Sequence, residues 1–248
     1  MNAGRIRIGV GGWNFEPWRG TFYPPGLPRA RELEYLGGQL TADEINATFY
    51  RGQSPESFSK WRDAVPEGFV FAIKASRFCV NRKVLGEAGE SIGKFVAQGI
   101  TRLGDKLGPI LWQFAATKQF DADDMARFLA LLPAEQDGLK LRHAIEPRHE
   151  SFADPAFITM ARAAGVAVVY AEAEKYPRFA EQTADFTYAR IQCADEALEA
   201  GYDERELDRL ATQVRTWAEG GRDVFLFFIS GDKIRNPAAA QALIARLG

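Results

Sequence analysis

Cysteine and histidine are scarce in this chain of 248 residues: two of each. Cys79 and Cys193 are too few for the disulfide framework of a small secreted domain. With two cysteines and two histidines, His143 and His149, a structural zinc site is not expected, and a three-imidazole catalytic zinc site is excluded. A charge of one sign is also missing. Thirty-one basic residues face 33 acidic ones, a net charge of −2, so no global field draws the chain to duplex DNA or to a membrane surface. No apolar run approaches the roughly 20 residues that cross a bilayer. The N-terminal "MNAGRIRIGVGG" has neither an apolar signal core nor a cleavage pattern. A soluble, cytoplasmic protein without membrane partners is the expectation. Gly-x-Ser-x-Gly, P-loop and His-Glu-x-x-His motifs are absent, and "GVGG" is no dinucleotide fingerprint because no helix follows it directly.

What is present is a rhythm. Short apolar or β-branched runs recur as "RIRIGV", "ADEINATF", "FVFAIK", "GPILWQF", "LRHAIE", "GVAVVYA", "FTYARIQ" and "DVFLFFI". Between them lie helical signals. Ser54-Pro55, Asp154-Pro155 and Asn236-Pro237 each read as an N-cap followed by proline at the first helical position. "DADDMARFLALL" opens with an acidic turn, and "YDERELDRLATQVRTWAEGG" carries Asp203 as cap and a stripe of Leu207, Leu210, Val214 and Trp217. The sixth unit is weak, since "EAEKYPRFAEQTAD" offers at most a short helix. Eight alternating units predict an α/β fold, a TIM-like (β/α)8 barrel, against the alternative of an open doubly wound sheet. No linker or composition break appears, so one domain over 1–248 is expected.

Barrels of this kind bind ligands at the C-terminal ends of their strands. Glu44 and Asn46, Lys74, Gln113, Glu146, Glu172, and Arg190 with Gln192 fall at those ends, and the eighth run leads into Ser230, Asp232 and Lys233. A charge inside an apolar run must be paired or must serve a ligand. Two readings are open: an internal ion-pair network such as Glu146 with Lys74 or Arg190, or a ligand pocket. In the second, Glu146 is the acid/base residue helped by Glu44, and Lys74, Arg148 and Arg190 hold an anion. Asn46, Gln113 and Gln192 orient it, with His149, Glu172, Trp13 and Tyr50 as further substrate contacts. A divalent metal on Glu44, Glu146 and Glu172 is compatible with the residue types but has no support in the spacing, so no cofactor is predicted. "SGDKIRNPAAA" reads equally as a phosphate-binding turn or as an ordinary turn with Asn236 as cap. The aromatics of "GWNFEPWRGTFYPP" stack on a base or sugar, or pack the loop down as a cover. Cys193 reads as a small buried thiol rather than a nucleophile.

The stretches "IGVGGWNFEPWRGTFYPPGLP", "ADEINATFYRGQSPESFSKWRDAVPEGFVFAIKA", "GDKLGPILWQF", "LRHAIEPRHESF" and "TADFTYARIQ" resemble the YecE-like family, also called domain of unknown function 72. The resemblance implies a TIM-like barrel and leaves the reaction unestablished. Its pattern carries over at Gly12, Trp13, Glu44, Asn46, Tyr50, Lys74, Gln113, Glu146, Arg148, His149, Tyr188 and Arg190. The chain departs from it at Ala115, where the family has proline, and at Glu172, where it has aspartate. Gln192 replaces a strand-end histidine, and Ile229-Ser230 replace asparagines. Losing that histidine removes the best titrating group near neutral pH. The reading is an enzyme acting on a small anionic or phosphorylated substrate, by hydrolysis, isomerisation or phosphoester chemistry. The alternative is a non-catalytic module binding a nucleotide or a nucleic-acid end, with nucleic acid only weakly indicated. A structural or partner-binding role stands third, and oligomeric state is not legible.

Overall fold

The computed structural model describes residues 4–231 and 233–248, so Asp232 lies outside them. Apart from a short antiparallel pairing of Glu135–Gln136 with Leu139–Lys140, its strands form one parallel ring. β1 (Ile6–Val10), β2 (Ala42–Ile45), β3 (Val70–Lys74), β4 (Leu107–Gln113) and β5 (His143–Glu146) pair in sequence. β7 (Phe186–Ile191) and β8 (Asp223–Phe228) follow, and β8 returns to β1. The ring closes through β6, which comes in two pieces. Ala167–Val168 pairs with β5 and Tyr170–Glu172 pairs with β7. Thr183 explains the break: its hydroxyl donates to the Val166 carbonyl at 2.6 Å and accepts the Val168 N–H at 2.9 Å. A side chain thus replaces the ladder that β7, beginning only at Phe186, does not provide there.

Period-2 alternation puts one residue in two inside the ring. Those residues are unequal around it. Ala42, Ala72, Ala144, Ala167 and Ala171 face Phe186, Tyr188, Phe225 and Phe227. Two aromatic strands fill the barrel from one side, and the small residues opposite make room. Gly9 belongs to the same scheme, because a Cβ there would stand 2.0 Å from the Ala42 carbonyl oxygen.

The outer layer is helical: α1 (Glu32–Gln39), α2 (Pro55–Ala64), α3 (Gly89–Val96), α4 (Ala122–Ala130), α5 (Pro155–Ala163), α6 (Glu204–Ala218) and α7 (Asn236–Leu247). α6 follows its predicted pattern. Asp203 accepts the Glu206 N–H and the Glu206 carboxylate accepts the Asp203 N–H, while Leu207, Leu210, Val214 and Trp217 are buried. Ser54 and Asp154 cap their helices as expected.

Residues 173–185, the weak sixth connection, contain no helix. Two local expectations fail. β2 stops at Ile45, and Ala47–Tyr50 is a single helical turn whose Thr48 hydroxyl donates to the Lys74 carbonyl at 2.7 Å. Asn236 is not the cap of α7 but its first residue, and its side-chain oxygen accepts the Ser230 N–H at 3.2 Å. Among the described residues no helix is long and apolar enough to cross a membrane.

The α6 capping box predicts its own test. Asp203→Ala should cost about 1 kcal/mol. That is roughly 2–4 °C in the thermal midpoint of a chain this size, read by calorimetry.

Candidate functional site

The inward positions at the C-terminal ends of the strands are charged. Glu146 ends β5, and Glu44 and Arg190 each lie one residue before the ends of β2 and β7; all three are buried. Arg190 joins the other two across the barrel. Its Nη1 donates to Glu146 Oε2 at 2.6 Å, and its Nε and Nη2 donate to the two Glu44 oxygens at 3.1 Å each. The Tyr188 hydroxyl, two residues earlier on the same face, donates to Glu44 Oε2 at 2.7 Å. Gln113 Nε2 donates to Glu146 Oε2 at 2.9 Å, and Arg148 Nε donates to Glu146 Oε1 at 2.8 Å. Arg148 stacks in turn on the Tyr176 ring, 4.2 Å from its centre.

These contacts fix the ionisation of the cluster. Burial alone would raise the Glu146 carboxyl, but Arg190, Arg148 and Gln113 override it and hold it at about 2. Burial opposes the charge on Arg190 too, and Glu146 and Glu44 outweigh it, so its pKa is raised and it stays cationic. Glu146 is therefore a fixed anion at neutral pH and a poor proton carrier, contrary to the acid/base role its position suggests.

Lys74 ends β3 in the same layer but has a different fate. Its Nζ makes no hydrogen bond or ion pair among the described residues and sits 4.4 Å over the Phe49 ring. Burial, and then Arg190, lower its pKa to about 8 despite Glu44 and Glu146. Lys74 lines a cleft of about 350 Å³ over the β1–β3 side of the mouth, together with Trp13, Phe15, Asn46, Tyr50 and Lys233. The Lys233 ammonium lies 3.9 Å from the centre of the Phe15 ring.

The predicted site residues thus divide. Glu44, Glu146, Arg190, Arg148 and Gln113 form one network, and Lys74, Asn46, Trp13 and Tyr50 line the cleft beside it, with Arg190 shared. Gln192 continues the inward face of β7, and its Nε2 is buried with no partner among the described residues. Glu172 does not join them. It shares its face with Tyr170, which packs on Trp217, and its carboxylate accepts from the Tyr170 hydroxyl at 3.0 Å and from Arg209 of α6 at 2.7 Å. It points out of the barrel, so a metal site on Glu44, Glu146 and Glu172 cannot assemble. No group of three or more metal-ligating side chains occurs among the described residues. His149 caps the turn at Glu150–Ala153, its Nδ1 accepting the Ser151 N–H at 3.1 Å. Cys193 is exposed, not buried, and its thiol is pushed up by desolvation and by Glu172.

Three residues complete the picture. Tyr188 was legible from its place two before Arg190. Lys233 follows β8 and reaches the cleft because the first loop packs against it, with the Trp18 indole donating to its carbonyl at 2.7 Å. That loop is mainly a packed cover: Trp18 and Tyr23 are buried, while Trp13 and Phe15 reach the cleft. Asp43, facing outward, is buried with no side-chain partner among the described residues, and the Gly12 N–H is the group that favours its charged form. Burial and then Glu44 raise its pKa, which gives no sign in the sequence.

A closed parallel α/β barrel with an ion-paired cluster across the C-terminal ends of its strands is a TIM-type barrel. The profile of the protein family of unknown function DUF72 matches residues 7–248, and the chain belongs to that family. A DUF72 protein from Thermotoga maritima superposes with a TM-score of 0.76 at 22% identity, covering 97% of both chains. One from Enterococcus faecalis gives 0.72 at 18% identity, over 98% of this chain and 95% of that one. A xylose isomerase-like TIM barrel/4-hydroxyphenylpyruvate dioxygenase fusion protein gives 0.53 at 14%, over 95% of this chain and 41% of that one. At these identities the likeness is one of fold. Comparison with curated proteins yields no match.

The network predicts a pH signature. The depressed Glu146 contributes stability that is complete above its unfolded value, near 4.5, and is lost as pH falls toward about 2. Arg190→Met should shrink that acid-side slope and cost about 3–5 kcal/mol at pH 7, because Glu44 is left buried without a cation and Glu146 keeps only Arg148. Urea unfolding between pH 2 and 7 checks both; a variant as stable as wild type would refute the network's role.

Proposed function

We propose that the chain is a TIM-barrel enzyme acting on a small anionic or phosphorylated substrate held in the β1–β3 cleft. One observation carries this reading. Glu44 and Glu146 are balanced by Arg190 and Arg148, so the network is neutral. Lys74 and Lys233, which face the cleft, have no carboxylate partner among the described residues. Two uncompensated ammoniums at one concave surface suit an anion. The unpartnered Gln192 amide adds a donor on the same inward face. In this reading Lys74 and Lys233 bind the anion, while Glu44, Glu146 and Arg190 position Lys74 rather than exchange protons with substrate.

The second reading, a non-catalytic module for a nucleotide or nucleic-acid end, is favoured by one feature: Tyr50 stands at the cleft rim 64% exposed, open for a base to stack on.

Calorimetric titration with glycerol 3-phosphate tests the first reading. The expected result is binding that weakens about tenfold or more, about 1.4 kcal/mol, in Lys74→Met and again in Lys233→Met. Indifference of binding to both substitutions would refute the cleft as the anion site. Tighter binding of a mononucleotide, lost in Tyr50→Ala, would favour the second reading.

A further inference from the structure

We infer that Lys74 is a nucleophile that forms an imine with an aldehyde or ketone carried by the anionic substrate. This deepens the reading of the cleft as an anion site and rests on it. The geometry comes first. Lys74 is the one inward-facing strand-end cation left without a carboxylate partner among the described residues, and its Nζ borders a cleft with room for a small molecule. Its backbone is fixed at the end of β3, and its Nζ lies 4.4 Å over the Phe49 ring at the edge of the cleft. Lys233 lines the same cleft and can take the anionic end of the substrate, and Trp13 and Phe15 supply apolar wall to it.

The charges around Lys74 support the same chemistry. Burial opposes its ammonium form, Arg190 and Arg148 add repulsion, and Glu44 and Glu146 act the other way but are already engaged by guanidinium groups. With a pKa near 8, about a tenth of Lys74 is neutral at pH 7, against well under a thousandth for an ordinary lysine. A desolvated lysine beside other cations is a recognised way to make an amine nucleophilic. The step balances without a co-reactant. The nitrogen lone pair attacks the carbonyl carbon and the C=O π pair moves to oxygen. As the C=N bond forms, both amine hydrogens leave with that oxygen as water. The imine draws electrons from the adjacent carbon, which opens isomerisation or carbon–carbon bond chemistry next to the carbonyl.

The test is reductive trapping. The full chain is incubated with glyceraldehyde 3-phosphate and cyanoborohydride and mapped by peptide mass spectrometry. The expected result is an adduct at Lys74 forming about tenfold or more faster than at exposed Lys94, with a rate that rises with pH through about 8. The adduct should be absent at this position in Lys74→Arg, which keeps the charge, and in Lys74→Met, which keeps the stem, each verified as folded by its melting curve. Labelling of Lys74 no faster than Lys94 would overturn the proposal. Titration with glycerol 3-phosphate, which has the anion but no carbonyl, separates the two claims. Binding without an adduct overturns the imine and leaves the anion site standing. An adduct without such binding supports the imine and overturns the anion site, and neither overturns both.

Discussion

Arg190 is the contact on which the mouth of this barrel depends. One guanidinium from β7 reaches Glu44 on β2 and Glu146 on β5, strands that are not neighbours in the ring. Removing three charges from water is costly, and their mutual attraction offsets that cost only with good geometry and further hydrogen bonds. Tyr188, Gln113 and Arg148 supply those bonds. The planar fork of arginine is what allows three nitrogens to serve two carboxylates at once; a lysine ammonium at the same place could not grip Glu44 with two nitrogens. The arrangement is a brace across the barrel and, at the same time, the source of the field that Lys74 feels.

The interior packing sets where the cleft opens. Below the charged layer the bulk lies on β7 and β8, as Phe186, Tyr188, Phe225 and Phe227. Toward the mouth β1 contributes no side chain at all. Gly11 lies against the Asn46 amide and Ile229, where an added Cβ would come within 2.8 Å of Asn46 Nδ2. The space therefore lies over β1 to β3, beside Lys74. The aromatic first loop walls it off: Trp18 is buried against Phe15 and Phe22, which holds Phe15 and Lys233 at the edge of the cleft.

Much of this was legible in the sequence, for a physical reason. A charged residue inside an apolar run breaks the pattern of a buried strand, so Glu44, Lys74, Glu146 and Arg190 stood out, and period-2 spacing placed Tyr188 on the face of Arg190. Glu172 was misread because "GVAVVYA" is apolar at every position. A strand buried on both faces gives no alternation from which to read direction, and here Ala171 faces inward while Tyr170 and Glu172 face the helices. Asn46 and the end of β2 were misplaced because Ala47–Tyr50 is a helical turn secured by a tertiary contact, Thr48 to the Lys74 carbonyl. Both an ion-pair network and a ligand site were readable as alternatives. Which cation pairs with which carboxylate depends on strand register, and register is not written in the charges themselves.

An ion-pair network and a ligand site are not mutually exclusive. Pairing holds Glu146 as an anion and Arg190 as a cation near neutrality. His149 is engaged in capping, and the strand-end position at which the family resemblance calls for histidine holds Gln192, an amide that cannot titrate. Lys74 is the inward-facing group whose pKa is brought toward neutrality, to about 8, first by burial and then by Arg190, against the pull of Glu44 and Glu146. A looser cluster, with one carboxylate free, would form an ion pair with Lys74 and restore an ordinary inert ammonium. The tight pairing that removes Glu146 as a base is thus the same pairing that leaves the lysine available.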